Sequence, residues 1–203
     1  MKHIIINVGR QLGSGGHDIG RMLALDFQAK YYDREILNLA AKESGLSEKI
    51  FEQNDEKKGF FRGLLNLGVP HLGGGEKSGI TQENLFQFQS EAIQKAAKEG
   101  SCVFVGRCAD YVLRDFKNVV NIFITASMGY RIEQIMNKQH LDYVAAQKFI
   151  EQKESDRASY YNYYTGKKWG AAESYDLCID SSILGFVETE KLIAEFIRKK
   201  FKI

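Results

Sequence analysis

"NVGRQLGSGGHDIG", residues 7–20, follows the apolar run Ile4-Ile5-Ile6 and decides how the rest of the chain is read. Its glycines stand at 9, 13, 15, 16 and 20, where a strand ends and a helix begins. A bound phosphate needs hydrogen-bond donors and a positive field. Small residues between strand and helix let consecutive backbone N–H groups point inward, and the helix start adds partial positive charge. A plain tight turn has the same composition, but the preceding strand favours the phosphate cradle.

The stretch departs from the usual phosphate-loop pattern G-x-x-x-x-G-K-[ST]. With Gly13-Ser14-Gly15 set at the end of the loop, Gly16 stands where the lysine belongs and His17 where the hydroxyl belongs. The first glycine of the pattern falls on Arg10, one residue after Gly9. Arg10 can therefore supply the missing cation from the other side of the loop. His17 either gives a ring N–H to a phosphate or is an exposed residue at a helix start. Asp18 is placed to cap or charge the first turn.

Working outward, short apolar runs at His3–Val8, Ala29–Tyr32, Cys102–Val105, Val119–Thr125 and Leu177–Ile179 read as strands. The spacing predicts helices over Asp18–Phe27, with Ile19, Met22, Leu23 and Leu25 near one face, and over Asp33–Glu43. It predicts two longer ones, over Gln82–Lys98 with Leu85, Phe88, Ala92, Ile93 and Ala96 inward, and near Leu184–Phe201 with Val187, Leu192, Phe196 and Ile197 apolar. Strands alternating with helices imply a parallel sheet covered on both faces. The only proline, Pro70, lies in the glycine-rich "LGVPHLGGGEKSG", so residues 45–80 read as an insertion. The polar, tyrosine-rich stretch from Arg131 to Trp169 reads as two helices standing off the sheet.

Composition narrows the partners. A chain of 203 residues with 44% hydrophobic and 27% charged residues fits one soluble domain. A net charge of +2 argues against nucleic acid, and the tail Arg198-Lys199-Lys200 reads as a helix end whose cations face its carbonyls. Cys102, Cys108 and Cys178 form no CxxC pair, and Cys102 and Cys178 sit in apolar runs as small buried hydrophobes. With no membrane span and no signal-peptide pattern, a cytoplasmic protein acting on a small molecule is expected. Nothing in the sequence gives an oligomeric state.

Three further stretches end strands at the same sheet edge. "YYDREI" puts Asp33 and Arg34 after the second strand, facing the ligand crevice, although taken alone they read as a helix N-cap with Arg34 solvated. "VFVGRCADYVL" puts Arg107 after four apolar residues, which favours a phosphate or base contact, with Asp110 close behind. "IFITASMGYRIEQI" puts Arg131 beside the crevice, and Lys153, Arg157, Lys167 and Lys168 follow along the helical stretch. The tyrosines 160, 161, 163 and 164 suit lid packing, base stacking or a dimer surface, with packing preferred because aromatic stripes at helical spacing usually pack.

In the order of these features, from "GSGG" through "YYDREI", "VGRCAD", "IFITAS", "DRASYYNYYTGKKWG" and "YDLCIDSS", the chain resembles the cytidylate kinase-like branch of the P-loop nucleoside monophosphate kinases. The resemblance spans nearly the whole chain. It implies one three-layer domain over residues 1–203, with a five-stranded parallel sheet in the order 2-3-1-4-5 and helices on both faces. Residues 33–85 would be an acceptor-binding insertion and 128–170 a helical lid. It implies ATP and Mg2+ as cofactors, a nucleoside monophosphate of cytidylate type or a related small molecule as acceptor, and phosphate contacts from Arg131 and Arg157. Gly13, Ser14, Gly15, Gly16 and His17 would hold ATP, with Ser14 or water as the magnesium ligand. Asp33, Arg34, Arg107 and Asp110 would hold the acceptor. Val105 replaces the acidic residue that precedes Gly-Arg in cytidylate kinases. With Gly16 at the lysine position, the alternative is a nucleotide-binding regulatory module that has lost catalysis. A kinase for a non-nucleotide acceptor is a third reading.

Overall fold

The computed structural model describes residues 3–34 and 82–203. The expected insertion over 45–80 lies outside the described residues, as do the predicted helix beyond Arg34 and most of the segment 33–85.

The strands are β1 (Ile5–Arg10), β2 (Lys30–Tyr32), β3 (Cys102–Val105), β4 (Val119–Thr125) and β5 (Leu177–Asp180). All pair in parallel, in the order β2-β3-β1-β4-β5. The helices are α1 (Gly16–Asp26), α2 (Gln82–Glu99), α3 (Ala109–Val112), α4 (Met128–Gln139), α5 (Tyr143–Thr165) and α6 (Ser181–Phe201).

The central strands read as unbroken apolar runs because both faces of the sheet are covered. Ile4, Ile6 and Val8 pack with Ile19 and Leu23 of α1 and Ile193 and Ile197 of α6. Ile5, Cys102 and Phe104 face the other way, onto Ile93, Ala96 and Ala97 of α2 and onto Leu113. Each fully buried side chain of this kind contributes about 1.5–3 kcal/mol. Two expectations fail here. Leu25 is 81% exposed, because its position on α1 points away from the face that carries Ile19 and Leu23. Cys178 is exposed, because β5 is the sheet edge and only Leu177 and Ile179 face the core beneath α6. On α6, Val187 and Leu192 are exposed as well, and the buried stripe is Ile193, Ala194 and Ile197. The basic residues 198–200 do end this helix.

The stretch from 128 to 165 forms two helices with a small core of their own. Ile132 and Ile135 of α4 meet Ala146 and Ile150 of α5, with Leu12 of the glycine-rich loop packed against them. Asp142 caps α5 by accepting from the Ala145 N–H at 2.8 Å, and Gly166 closes it in the left-handed region at φ 68°.

The topology fixes where a ligand can sit. β1 leads to the β2 edge, whereas its neighbour β3 leads back across the sheet to β4. Connections that diverge from two adjacent strands leave a crevice at their carboxyl ends. Arg10 and Gly106 stand at that crevice.

Candidate functional site

A cleft of about 730 Å³ opens at this switch point. Its floor is the end of β1, Asn7 to Arg10. One wall is His17 and Arg21 of α1 with Asp33 and Arg34 after β2. The other is the Gly106–Asp110 turn with Lys153, Arg157 and Tyr160 of α5.

Arg10 lies at the centre. Its stem runs over Gly16, where an added Cβ would stand 2.5 Å from Arg10 Cβ and 2.6 Å from Cγ. Its guanidinium ends against Gly106, where an added Cβ would collide with Nη1. Arg10 Nη2 lies 3.3 Å from His17 Nε2, and Arg157 Nη1 donates to the Arg10 carbonyl at 3.3 Å. Arg10 Nε is buried and has no hydrogen-bond partner among the described residues. Burial, and then the charges of Arg157 and Arg107, push the Arg10 guanidinium down to about 9, which still leaves it charged at neutral pH. Arg157 is pushed down for the same reasons, burial first, with Glu154 acting against it. Cations crowded in a half-buried cleft favour an anion there.

The turn after β3 is unusual in its backbone. Gly106, Arg107 and Cys108 have φ of 80°, 62° and 55° in succession. A non-glycine residue in that region costs about 1–2 kcal/mol, so two in a row store strain at the cleft. Arg107 is held with its guanidinium 5.3 Å from the Tyr160 ring centroid. Asp110 accepts from the Tyr161 hydroxyl at 2.7 Å, and burial pushes its carboxyl up despite that bond. Asp33 is 8% exposed and acts electrostatically on both Arg10 and His17.

Of the residues singled out from sequence, Arg10, His17, Asp33, Arg34, Arg107, Asp110 and Arg157 come together in this cleft. Arg131 does not. It is 4% exposed and turned inward, with Nη1 at 2.7 Å from Glu154 Oε1 and Nε donating to the Ala126 carbonyl at 3.0 Å. Glu154 Oε1 also accepts from the Leu12 N–H at 3.2 Å, so the pair straps α4 and α5 to the loop. Ser14 is fully buried, its hydroxyl within 2.9 Å of the Gln11 carbonyl and 3.1 Å of the Ile124 carbonyl. That hydroxyl faces the sheet, not the cleft. Lys167 and Lys168 are exposed and outside the cleft.

The structure adds residues the sequence reading missed. Arg21 lines the cleft one turn after His17, and that spacing could have found it. Lys138, Trp169 and Tyr175 reach it through the tertiary fold alone. The tyrosine run packs only in part: Tyr164 stacks on Phe86 of α2 at 4.1 Å between centroids and Tyr160 donates to Gln89 Oε1 at 3.3 Å, but Tyr163 is exposed and all four tyrosines line the cleft.

Comparison with known proteins agrees with this fold. Residues 5–183 match the model of the cytidylate kinase-like family. The chain belongs to that family. An uncharacterized protein from Eubacterium ventriosum has a crystal structure 25% identical to this chain, with a TM-score of 0.74 over 96% of this chain and 98% of that one. Shikimate kinase from Bacteroides thetaiotaomicron is 10% identical, with a TM-score of 0.54 over the full length of both chains. A gluconokinase from Sinorhizobium meliloti is 13% identical, with a TM-score of 0.54 over 98% of this chain and 95% of that one. These last two show the fold, which is that of P-loop kinases. No protein of curated function matches by sequence. As a cytidylate kinase-like chain with a P-loop kinase fold, the protein is kinase-like; no described helix is long and apolar enough to cross a membrane.

Proposed function

We propose that this member of the cytidylate kinase-like family transfers a phosphoryl group from ATP to a small acceptor, a nucleoside monophosphate of cytidylate type. The observation that carries the reading is Arg10: a charged side chain over the lysine position, with a buried donor lacking a partner among the described residues.

The cleft fits a triphosphate. The charges of Arg157 and Arg107 push the Arg10 guanidinium down and that of Arg107 pushes Arg157 down, and a polyanion among them relieves that repulsion. Bound ATP with magnesium would supply the transferable phosphoryl group and a counter-charge. The chain's own part is positioning and charge stabilisation, which is most of catalysis in phosphoryl transfer. Arg10 takes the role of the loop lysine. Arg157 closes from the helical pair 128–170, which acts as the lid. Arg34 and Arg107 clamp the acceptor's phosphate, and Asp33 and Asp110 take hydrogen bonds from the rest of it. With the Ser14 hydroxyl turned away, that side chain would not hold magnesium, which would enter with ATP. Among the described residues no group of three His, Cys, Asp or Glu side chains could hold a metal by itself.

A nucleotide-binding module without catalysis is the competing reading, favoured by Gly16 and by the buried Ser14 hydroxyl. One experiment separates them: ATP consumption with magnesium against CMP, dCMP, UMP, shikimate and gluconate, with ATP binding measured on the same sample. Turnover with CMP or dCMP is the expected result. Turnover on shikimate or gluconate alone moves the acceptor class to a hydroxyl compound, and binding without turnover on any acceptor supports the module.

A further inference from the structure

His17 stands where the phosphate-loop pattern puts a hydroxyl, and its geometry assigns it a different task. The His17 ring touches two groups. Nε2 lies 3.3 Å from Arg10 Nη2, and Nδ1 lies 3.0 Å from the Tyr31 hydroxyl. A guanidinium has donors only, so Nε2 must accept. The ring proton is then on Nδ1, donated to Tyr31. In this state His17 has no N–H left for a phosphate, and a second proton would set an Nε2–H against the guanidinium. Burial, with the charge of Arg10 next, holds the ring down at about 4, in keeping with a neutral imidazole.

Gly16 completes the arrangement. Any side chain there would run into Arg10 Cβ and Cγ. The glycine at the lysine position and the arginine six residues before it are therefore one exchange: the stem of Arg10 uses the room that glycine leaves. Nη1 is wedged at Gly106 and Nη2 is held by His17, so the guanidinium plane is fixed, with Nε buried and without a partner among the described residues.

We propose that His17 is a positioning residue, whose bare Nε2 accepts from Arg10 and fixes the relocated cation of the phosphate loop. The inference rests on the reading of Arg10 as the loop's cation. Its action on phosphate is indirect, through Arg10, just as groups behind a metal ligand act through the ligand.

The test uses the whole chain, with ATP and inorganic tripolyphosphate as probes in calorimetric titrations. His17→Leu weakens both by about tenfold to a hundredfold, the range for groups that orient a ligating residue. His17→Gln, whose amide oxygen can accept from Arg10, restores most of the affinity. In an Arg10→Ala background, His17→Leu changes nothing further, because its route of action is gone. Nitrogen-15 NMR of the natural protein, with the His17 signal assigned through His17→Gln, shows the proton on Nδ1 and Nε2 bare. This readout needs no variant to fold well. An Nε2–H tautomer overturns the proposal. So does unchanged binding in His17→Leu, or a loss that persists in full without Arg10. If the natural protein binds both probes and Arg10→Ala abolishes binding while His17→Leu is silent, the reading of Arg10 stands and the role of His17 alone falls. If the natural protein binds neither probe, the phosphate-site reading falls and takes this inference with it.

Discussion

The glycine-rich loop has two sides built on opposite terms. On the cleft side, Arg10 and His17 are half-buried polar groups, and Arg10 keeps a donor without a partner among the described residues. On the inner side the loop is tightly packed and its hydroxyl is engaged. An added Cβ at Gly13 would stand 2.7 Å from the Arg131 carbonyl oxygen, one at Gly15 would run into the Phe186 ring, and the Ser14 hydroxyl is turned to the carbonyls of Gln11 and Ile124. Glycines that read as a phosphate cradle are thus also what lets α4 and α6 press on the loop. The same contrast separates the two arginines expected to act together. Arg157 faces the cleft, whereas Arg131 is paired with Glu154 behind the loop.

The largest effect should come from the cleft side. Arg10→Ala is expected to lower turnover by about 10³-fold, the scale of a lost cation in phosphoryl transfer, with little change in melting temperature. Steady-state kinetics beside thermal unfolding would check this, and a surviving rate would break the contrast. The inner side should show the reverse. Arg131→Met leaves Glu154 half-buried and uncompensated, costing roughly 3 kcal/mol of stability by chemical denaturation. ATP affinity should fall far less than in Arg10→Ala.

A pH series sharpens the cleft side further. His17 is held near 4 in the folded chain against 6.5 in the unfolded one, by burial first, then by Arg10, Arg157 and Lys138, with Asp33 opposing. The unfolded chain therefore takes up this proton first as pH falls. The stability contribution of neutral His17 is complete above the unfolded value and is lost on the way down to about 4, by roughly 3 kcal/mol. Unfolding titrations of the natural chain and His17→Gln should differ by this component and converge at neutral pH. The smallest effect concerns α6. Gly185 has φ 73° and ψ 174° with nothing within 4 Å of an added Cβ, so Gly185→Ala costs backbone strain alone, about 1–3 kcal/mol. The same change should loosen Phe186 over Gly15, visible as faster amide exchange at Gly15 and Gly16.

Much of the fold was legible because its signals are local. The β3 and β4 runs matched their expected bounds, since a strand covered on both faces is a continuous apolar run with polar ends. Leu25 and Cys178 misled because apolar character does not say which face of an element a residue occupies. In the site, Arg10, Asp33, Arg107 and Arg157 were legible as polar residues at strand ends or along one helix beside the crevice. Arg131 has the same local signature as Arg157, and no feature of "SMGYRIEQI" reveals that Glu154 waits for it twenty-three residues on.

By itself the sequence determined the order of strands and helices, the place of the phosphate loop, and the fact that a lysine is missing from it. Those follow from periodicity and from residue types at strand ends, which act over a few neighbours. Only the tertiary structure decided how Arg10, which the sequence already offers in place of that lysine, is held. Gly16 and His17 lie within seven residues of Arg10, but the turn at Gly106 meets its guanidinium because β1 and β3 are neighbours in the sheet. That turn comes from almost a hundred residues along the chain, and no local pattern records the meeting.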